Sequence, residues 1–256
     1  MFHRILLASF ALLLASAVIA RANGPEIGID AGMVIPVAST NIELEAEWVD
    51  VSAPLGLEEG KLECMYRLRN RGHKARVVTM GFLVGGPSVN PVESPSHWDD
   101  PALGLEVHRL DGSPLPVRRE AARKRAWREL LYEMPDSLPV FDVPIPADSV
   151  AVFVINSRIT WSGGSDGNDS GVRLRYIATP ARLWAGPVGH AEIRFRFSGL
   201  DAALLKKAWK TTAQDSLQVT IAPAGFTWTN DGVLWKFDQW EPRENPTVSI
   251  DWTVPD

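Results

Sequence analysis

Apolar and polar residues alternate with period two along most of this chain, the pattern of half-buried β-strands. Ile42, Leu44, Ala46 and Trp48 alternate with Glu43, Glu45 and Glu47, which predicts a strand with an acidic, solvated outer face. Leu62, Cys64, Tyr66 and Leu68 alternate with Glu63, Met65, Arg67 and Arg69, and Asn70-Arg71-Gly72 marks the turn that follows. Val77 to Val84 and Val150 to Ile155 are more continuous apolar runs, the second reading as a core strand. Asp111-Gly112 between Leu105-Glu106-Val107 and Leu115-Pro116-Val117 is a hairpin signal. Further alternating runs follow at Val172–Tyr176, Ile193–Phe197, Leu217–Ile221, Val233–Phe237 and Val248–Trp252. About a dozen strands separated by turn signals indicate an all-β, sandwich-like architecture. Trp48, Trp235 and Trp252 fall on apolar parities and are expected in the core.

Two segments break the period. Glu120 to Met134 places Ala122, Ala126, Trp127, Leu130, Leu131 and Met134 at helical spacing before Pro135, which predicts an inserted helix near 120–134. Asp201 is placed to cap a second helix with Leu204, Leu205, Ala208 and Trp209 on one face. Gly85 to Pro101 reads as a long irregular loop. The chain divides loosely near Pro180 to Pro187, giving a sandwich domain over 23–182 and, over 183–256, a smaller β-rich lobe or an extension of the first sheet.

The first residues are an address. Met1 to Arg4 carry positive charge, Ile5 to Ala20 are nearly all apolar, and Ala20-Arg21-Ala22 is a small-x-small cleavage site. A Sec-type signal peptide over 1–22, cut after Ala22, implies a secreted or periplasmic protein with no transmembrane segment. Its removal takes away Arg4 and Arg21, leaving 24 basic and 31 acidic side chains and a charge of −7. That sign argues against nucleic acid as a partner. The single Cys64 excludes an intramolecular disulfide, and its parity makes it a small buried apolar residue.

Several stretches together resemble a known family. They are Asn23-Gly24-Pro25-Glu26-Ile27-Gly28, Asp30-Ala31-Gly32, Val34-Ile35-Pro36, Tyr66-Arg67-Leu68-Arg69-Asn70, Trp184-Ala185-Gly186-Pro187-Val188-Gly189 and Trp240-Glu241-Pro242-Arg243-Glu244-Asn245. In that order they resemble an uncharacterised family of exported bacterial proteins, a domain of unknown function with a Tyr-x-x-x-Thr-Gly-x-x-Trp-x-Gly-Pro-Ile-Gly signature. This chain departs from it with Ala-Thr-Pro at 178–180. The resemblance implies an exported, β-rich envelope protein and supplies no activity. Physically, Gly186-Pro187 sets a tight turn, Gly189 supplies a conformation denied to other residues, and Trp184 plugs a joint.

Candidate chemistry is sparse. Gly163-Gly164-Ser165-Asp166-Gly167 matches the serine-hydrolase elbow, but the residues after it alternate as a strand where a helix is required. Asp166, Asn168 and Ser170 resemble the first half of a calcium loop, although Ile177 stands where the closing carboxylate belongs. His97, Asp99, Asp100 and Glu93 cluster in the Pro-rich loop as a further divalent-metal candidate. Apart from calcium, no cofactor is indicated. Trp98, Trp161, Trp228 and Trp240 fall near turns or strand ends, where aromatic faces can stack on sugar rings. Arg118, Arg119, Arg123, Lys124, Arg125 and Arg128 make the segment near 118–128 basic and able to touch an anionic surface. The leading expectation is an exported, non-catalytic envelope module acting through protein contacts. A polysaccharide- or peptidoglycan-binding β-sandwich is the alternative, and a hydrolase stands third.

Overall fold

The computed structural model describes residues 27–36, 41–54, 60–84, 104–121, 137–159, 169–178, 181, 183–198, 202–210 and 217–253. Two seven-stranded sheets form a sandwich. The first runs, edge to edge, β11 (Leu217–Ala222), β14 (Thr247–Thr253), β9 (Asp169–Ile177), β1 (Ile27–Pro36), β4 (Arg76–Val84), β7 (Ser137–Ile145) and β6 (Arg118–Ala121). The second runs β12 (Thr227–Trp228), β13 (Gly232–Trp240), β10 (Val188–Ser198), β2 (Glu43–Pro54), β3 (Gly60–Asn70), β8 (Ser149–Ile159) and β5 (Glu106–Arg109). Most neighbours are antiparallel; β1 with β9 and β10 with β2 are parallel. The strands from Val188 onward extend both sheets, β10 beside β2 and β14 beside β9.

Alternation drives this arrangement. Along β3, Leu62, Cys64, Tyr66 and Leu68 are buried while the intervening Glu63, Met65 and Arg67 face outward. The inner faces meet in one core. Phe141 of β7 packs edge-on against Phe153 of β8 with centroids 5.6 Å apart, and Phe153 stacks on Tyr66. The Asp111-Gly112 hairpin forms as its sequence predicts, with Gly112 at φ 82° and Arg109 N–H bonded to Ser113 C=O. The run Val150 to Ile155 is less buried than its composition implies. Phe153 and Ile155 point inward, whereas Val152 and Val154 are half-buried on the outer face of the second sheet.

The helix foreseen after Asp201 is α1 (Ala202–Lys210), whose Leu205 is fully buried and which packs on β11. Its Trp209 reaches Phe226 and Trp228 at 5.1 and 6.2 Å between centroids. Phe226 in turn meets Trp235, and Trp235 meets Phe195. This aromatic chain bridges the edge strands β11 and β12 and closes one side of the sandwich. At 120–134 the structure differs from the expected helix at its start, since Glu120 and Ala121 belong to β6 and pair with Leu138 and Ser137. The remainder of that segment and the loop over 85–101 lie outside the described residues.

The turn after β3 is tied by a buried amide. Asn70 donates from Nδ2 to the carbonyls of Lys74 and Pro146 at 2.8 and 2.9 Å, and accepts from Gly72 N–H at 2.9 Å. Asn70→Ala strands these backbone groups. It is expected to cost about 1–3 kcal/mol, read as a lower denaturation midpoint at unchanged m-value.

Candidate functional site

One residue too many in β2 shapes a groove on the surface of the described residues. Ile42 and Leu44 point into the core, and so do Val49, Val51 and Ala53, so the inward parity changes from even to odd within one strand. The change is made by a β-bulge between Leu44 and Ala46 against β3. It sits against Gly189 of β10, where a Cβ would collide with the Glu45 carbonyl oxygen. Gly189 therefore serves close backbone approach, while the positive φ of the Trp-x-Gly-Pro-Val-Gly run belongs to Gly186, at 79°. The expectation of a special backbone conformation at Gly189 is corrected accordingly.

The bulge inverts two neighbouring residues relative to the alternation of the sequence. Glu47, expected on the solvated acidic face, is fully buried. Trp48, expected in the core, is half-buried on the outer face. Glu43 and Glu45 do face outward, where Arg71 and Arg67 pair with them.

Trp48 lies in an open groove of about 420 Å³ across the outer face of the second sheet. Cross-strand register explains its lining. Glu192, Trp48, Met65 and Val154 form one row, and Leu234, Arg194, Asp50, Glu63 and Asn156 form the next. An aromatic ring and apolar side chains thus make the floor, with carboxylates, a guanidinium and an amide around it. Two carboxylates are already held. Arg196 Nε donates to Asp50 at 2.6 Å, and Lys236 Nζ donates to Glu192 at 2.7 Å, which lowers the Glu192 pKa. His190 closes one end, its ring 6.2 Å from that of Trp48. Its Nδ1 lies 2.7 Å from Asp238 and its Nε2 3.4 Å from Glu192, and the bond to Asp238 raises its pKa.

Beneath the groove runs a buried polar chain between the sheets. Tyr176 of β9 donates to Glu47 Oε2 at 3.1 Å, and Tyr66 O–H lies 3.2 Å from Tyr176 O–H. Glu47 Oε1 has no hydrogen-bond partner. Burial pushes the Glu47 carboxyl up to about 8, and the hydrogen bond from Tyr176 offsets only part of that. Burial also raises Cys64, Tyr66 and Tyr176. At neutral pH, then, Glu47 is a neutral acid and Cys64 an unreactive thiol, which is the buried role its parity implies.

Of the four tryptophans singled out as sugar platforms, Trp228 and Trp240 lie among the described residues. Trp240 is buried and stacks on Phe237 at 4.3 Å, so its face is already covered. Trp228 is half-buried within the aromatic chain that closes the sandwich edge. Trp98 and Trp161 lie outside the described residues, as do Asp166 and Asn168 of the calcium candidate and the Gly163–Gly167 elbow. The backbone of Ser170 pairs with Trp252 at the start of β9. Among the described residues, no group of three or more His, Cys, Asp or Glu is arranged to hold a metal, and no helix is long and apolar enough to cross a membrane. Trp184 is buried as a plug, its neighbour Ala185 N–H bonding the Ile42 carbonyl just before the bulge.

No protein-family model matches the chain, and no curated protein matches it. Among solved structures, it is similar to a Legionella pneumophila protein provisionally described as a nutrient binding protein. The TM-score is 0.59 at 14% identity, over 90% of this chain and 71% of that one. Weaker matches are the M1 zinc metallopeptidase of Deinococcus radiodurans, with TM-score 0.32 and 8% identity over 85% of this chain and 43% of that one, and leukotriene A4 hydrolase of Saccharomyces cerevisiae, with TM-score 0.33 and 10% identity over 83% and 29%. The first likeness is one of fold.

Proposed function

We propose that this chain is an exported, non-catalytic binding module of the bacterial envelope whose ligand surface is the groove over Trp48, and that the ligand is a hydroxyl-rich polysaccharide. The observation that carries this reading is the outward placement of Trp48 among Glu63, Asn156, Arg194 and Glu192. A sugar ring offers an apolar face of C–H groups and a rim of hydroxyls. The indole takes the first, and carboxylate, amide and guanidinium groups take the second. The groove volume lies within the usual range for ligand clefts. Pairing of Asp50 with Arg196 and of Glu192 with Lys236 suits a fixed polar rim better than general acid–base work, which supports a binder over a hydrolase. Export is supported by the leader-like residues 1–22 and by the resemblance to exported bacterial proteins. The fold likeness to a protein described as nutrient-binding is compatible with a binding role.

The purified chain without residues 1–22, mixed with peptidoglycan and with soluble envelope polysaccharides, should co-sediment with one of them and show a saturable change in tryptophan fluorescence. Absence of binding to every polymer, with a protein partner captured by cross-linking in the native envelope, would transfer the groove to protein contacts.

A further inference from the structure

The ends of the bulged stretch are fixed, but the position of the extra residue is a choice. Leu44 pairs with Leu68 and Val49 with Cys64. Between these anchors β3 supplies Met65, Tyr66 and Arg67, whereas β2 supplies Glu45, Ala46, Glu47 and Trp48. One of the four must be unpaired. In the structure it is Glu45, so that Ala46 faces Arg67, Glu47 faces Tyr66 and Trp48 faces Met65. Making Trp48 the unpaired residue would set Glu45 opposite Arg67, Ala46 opposite Tyr66 and Glu47 opposite Met65, with both anchors unmoved. That second register is the one the Ile42, Leu44, Ala46, Trp48 alternation fits. It turns Ala46, buried in either register, toward the core in place of Glu47 and puts a carboxylate where Trp48 now lies.

The two registers are weighted by identifiable groups. Gly189 makes room for the Glu45 carbonyl, and Tyr176 donates to Glu47; both favour the observed one. Against it stands the burial of an acid with one oxygen unpartnered. The groups facing Glu47 are Tyr176 from β9, Tyr66 and Cys64 from β3 and Ala191 opposite it on β10, none of them a cation. In the second register the carboxylate would lie beside Glu192, with Lys236 and His190 next to it, and Glu45 would keep Arg67, its present ion-pair partner.

We propose that β2 is a two-register strand in which the bulge slides from Glu45 to Trp48 when Glu47 loses its proton to solvent, moving the carboxylate to the outer face and taking Trp48 off the groove floor. The groove in its Trp48-floored form then exists only while Glu47 is neutral. The consequence for ligand binding rests on the groove being the ligand surface; the slide itself does not.

The test is fluorine NMR of the ligand-free chain labelled with 5-fluorotryptophan, with the Trp48 resonance assigned through Trp48→Phe. From pH 5 to 7 the Trp48 signal should show a solvent isotope shift. As the pH rises past about 8 it should give way to a second signal. Glu47→Gln should hold the first signal up to pH 9.5, and Gly189→Ala should already show the second at pH 6. A wild-type Trp48 resonance unchanged from pH 5 to 9.5, or one that moves equally in Glu47→Gln, overturns the proposal. Should Gly189→Ala not fold, the wild type and Glu47→Gln decide alone. Because no ligand is present, a strand that slides in a protein that binds no polysaccharide refutes the ligand reading and leaves the switch standing.

Discussion

Glu47→Gln is expected to leave stability unchanged at pH 4.5 and to raise it by up to about 5 kcal/mol at pH 8. The sign follows from a folded-state pKa of about 8 against an ordinary value of 4.5. Below 4.5 the acid is protonated whether the chain is folded or not, and burial carries no proton-linked penalty. Between 4.5 and about 8 the unfolded chain releases the proton and the folded chain retains it, so folding loses about 1.4 kcal/mol per pH unit. Above about 8 both forms are ionised and the loss is complete. Glutamine keeps an oxygen for the Tyr176 hydroxyl and has nothing to ionise. Sliding of β2 relieves part of the penalty, which makes about 5 kcal/mol a ceiling. His190, with its raised pKa, and Glu192, Asp142 and Asp111, with lowered ones, titrate alike in both chains and cancel in the difference. Urea unfolding of the two chains from pH 4.5 to 8.5 measures it. Parallel curves would show that Glu47 is not a buried neutral acid.

Trp235→Ala should destabilise by about 3–5 kcal/mol, and Trp48→Ala by about 1 kcal/mol or less. Trp235 is fully buried, meets Phe195 and Phe226, and donates from Nε1 to the Pro223 carbonyl at 2.9 Å. Its removal leaves a large cavity and an unpaired backbone oxygen in the chain that closes the sandwich edge. Trp48 has one face open to the groove. By alternation alone the two residues are equivalent, so the difference between their costs reads out the phase of β2. Equal large costs, measured by urea unfolding at pH 6, would place Trp48 in the core and move the bulge.

Most of the sandwich was legible because a sheet with one buried face writes its period into the sequence. β3 alternates along its whole length, as do β10 from Ala191 to Phe197 and β13 from Val233 to Phe237, and their inward residues follow directly from it. The α1 helix was legible for the same reason at a period of 3.6. What escaped was one residue of phase. A signal was present, since Ile42 and Leu44 are apolar at even positions and Val49, Val51 and Ala53 at odd ones. A strand cannot face one core with both parities unless it bulges between them. Where the extra residue falls is decided by a partner distant in sequence, Gly189, and by the Tyr176 hydroxyl from the opposite sheet. Neither contact is visible in the local pattern, so Glu47 and Trp48 exchange places. The places of Trp228 and Trp240 were hidden for a related reason. Trp240 and Trp228 terminate or edge their strands, and the sandwich uses them to cover its ends.

Binding of a polysaccharide to the Trp48 face can be measured by calorimetric titration at pH 6. The polymer that co-sediments with the wild type would be titrated into the wild type and into Trp48→Ala. Loss of an aromatic anchor of about 2 kcal/mol predicts roughly 30-fold weaker binding, with a melting temperature close to that of the wild type. Equal affinity in the two chains would contradict the account and move the ligand surface away from this groove.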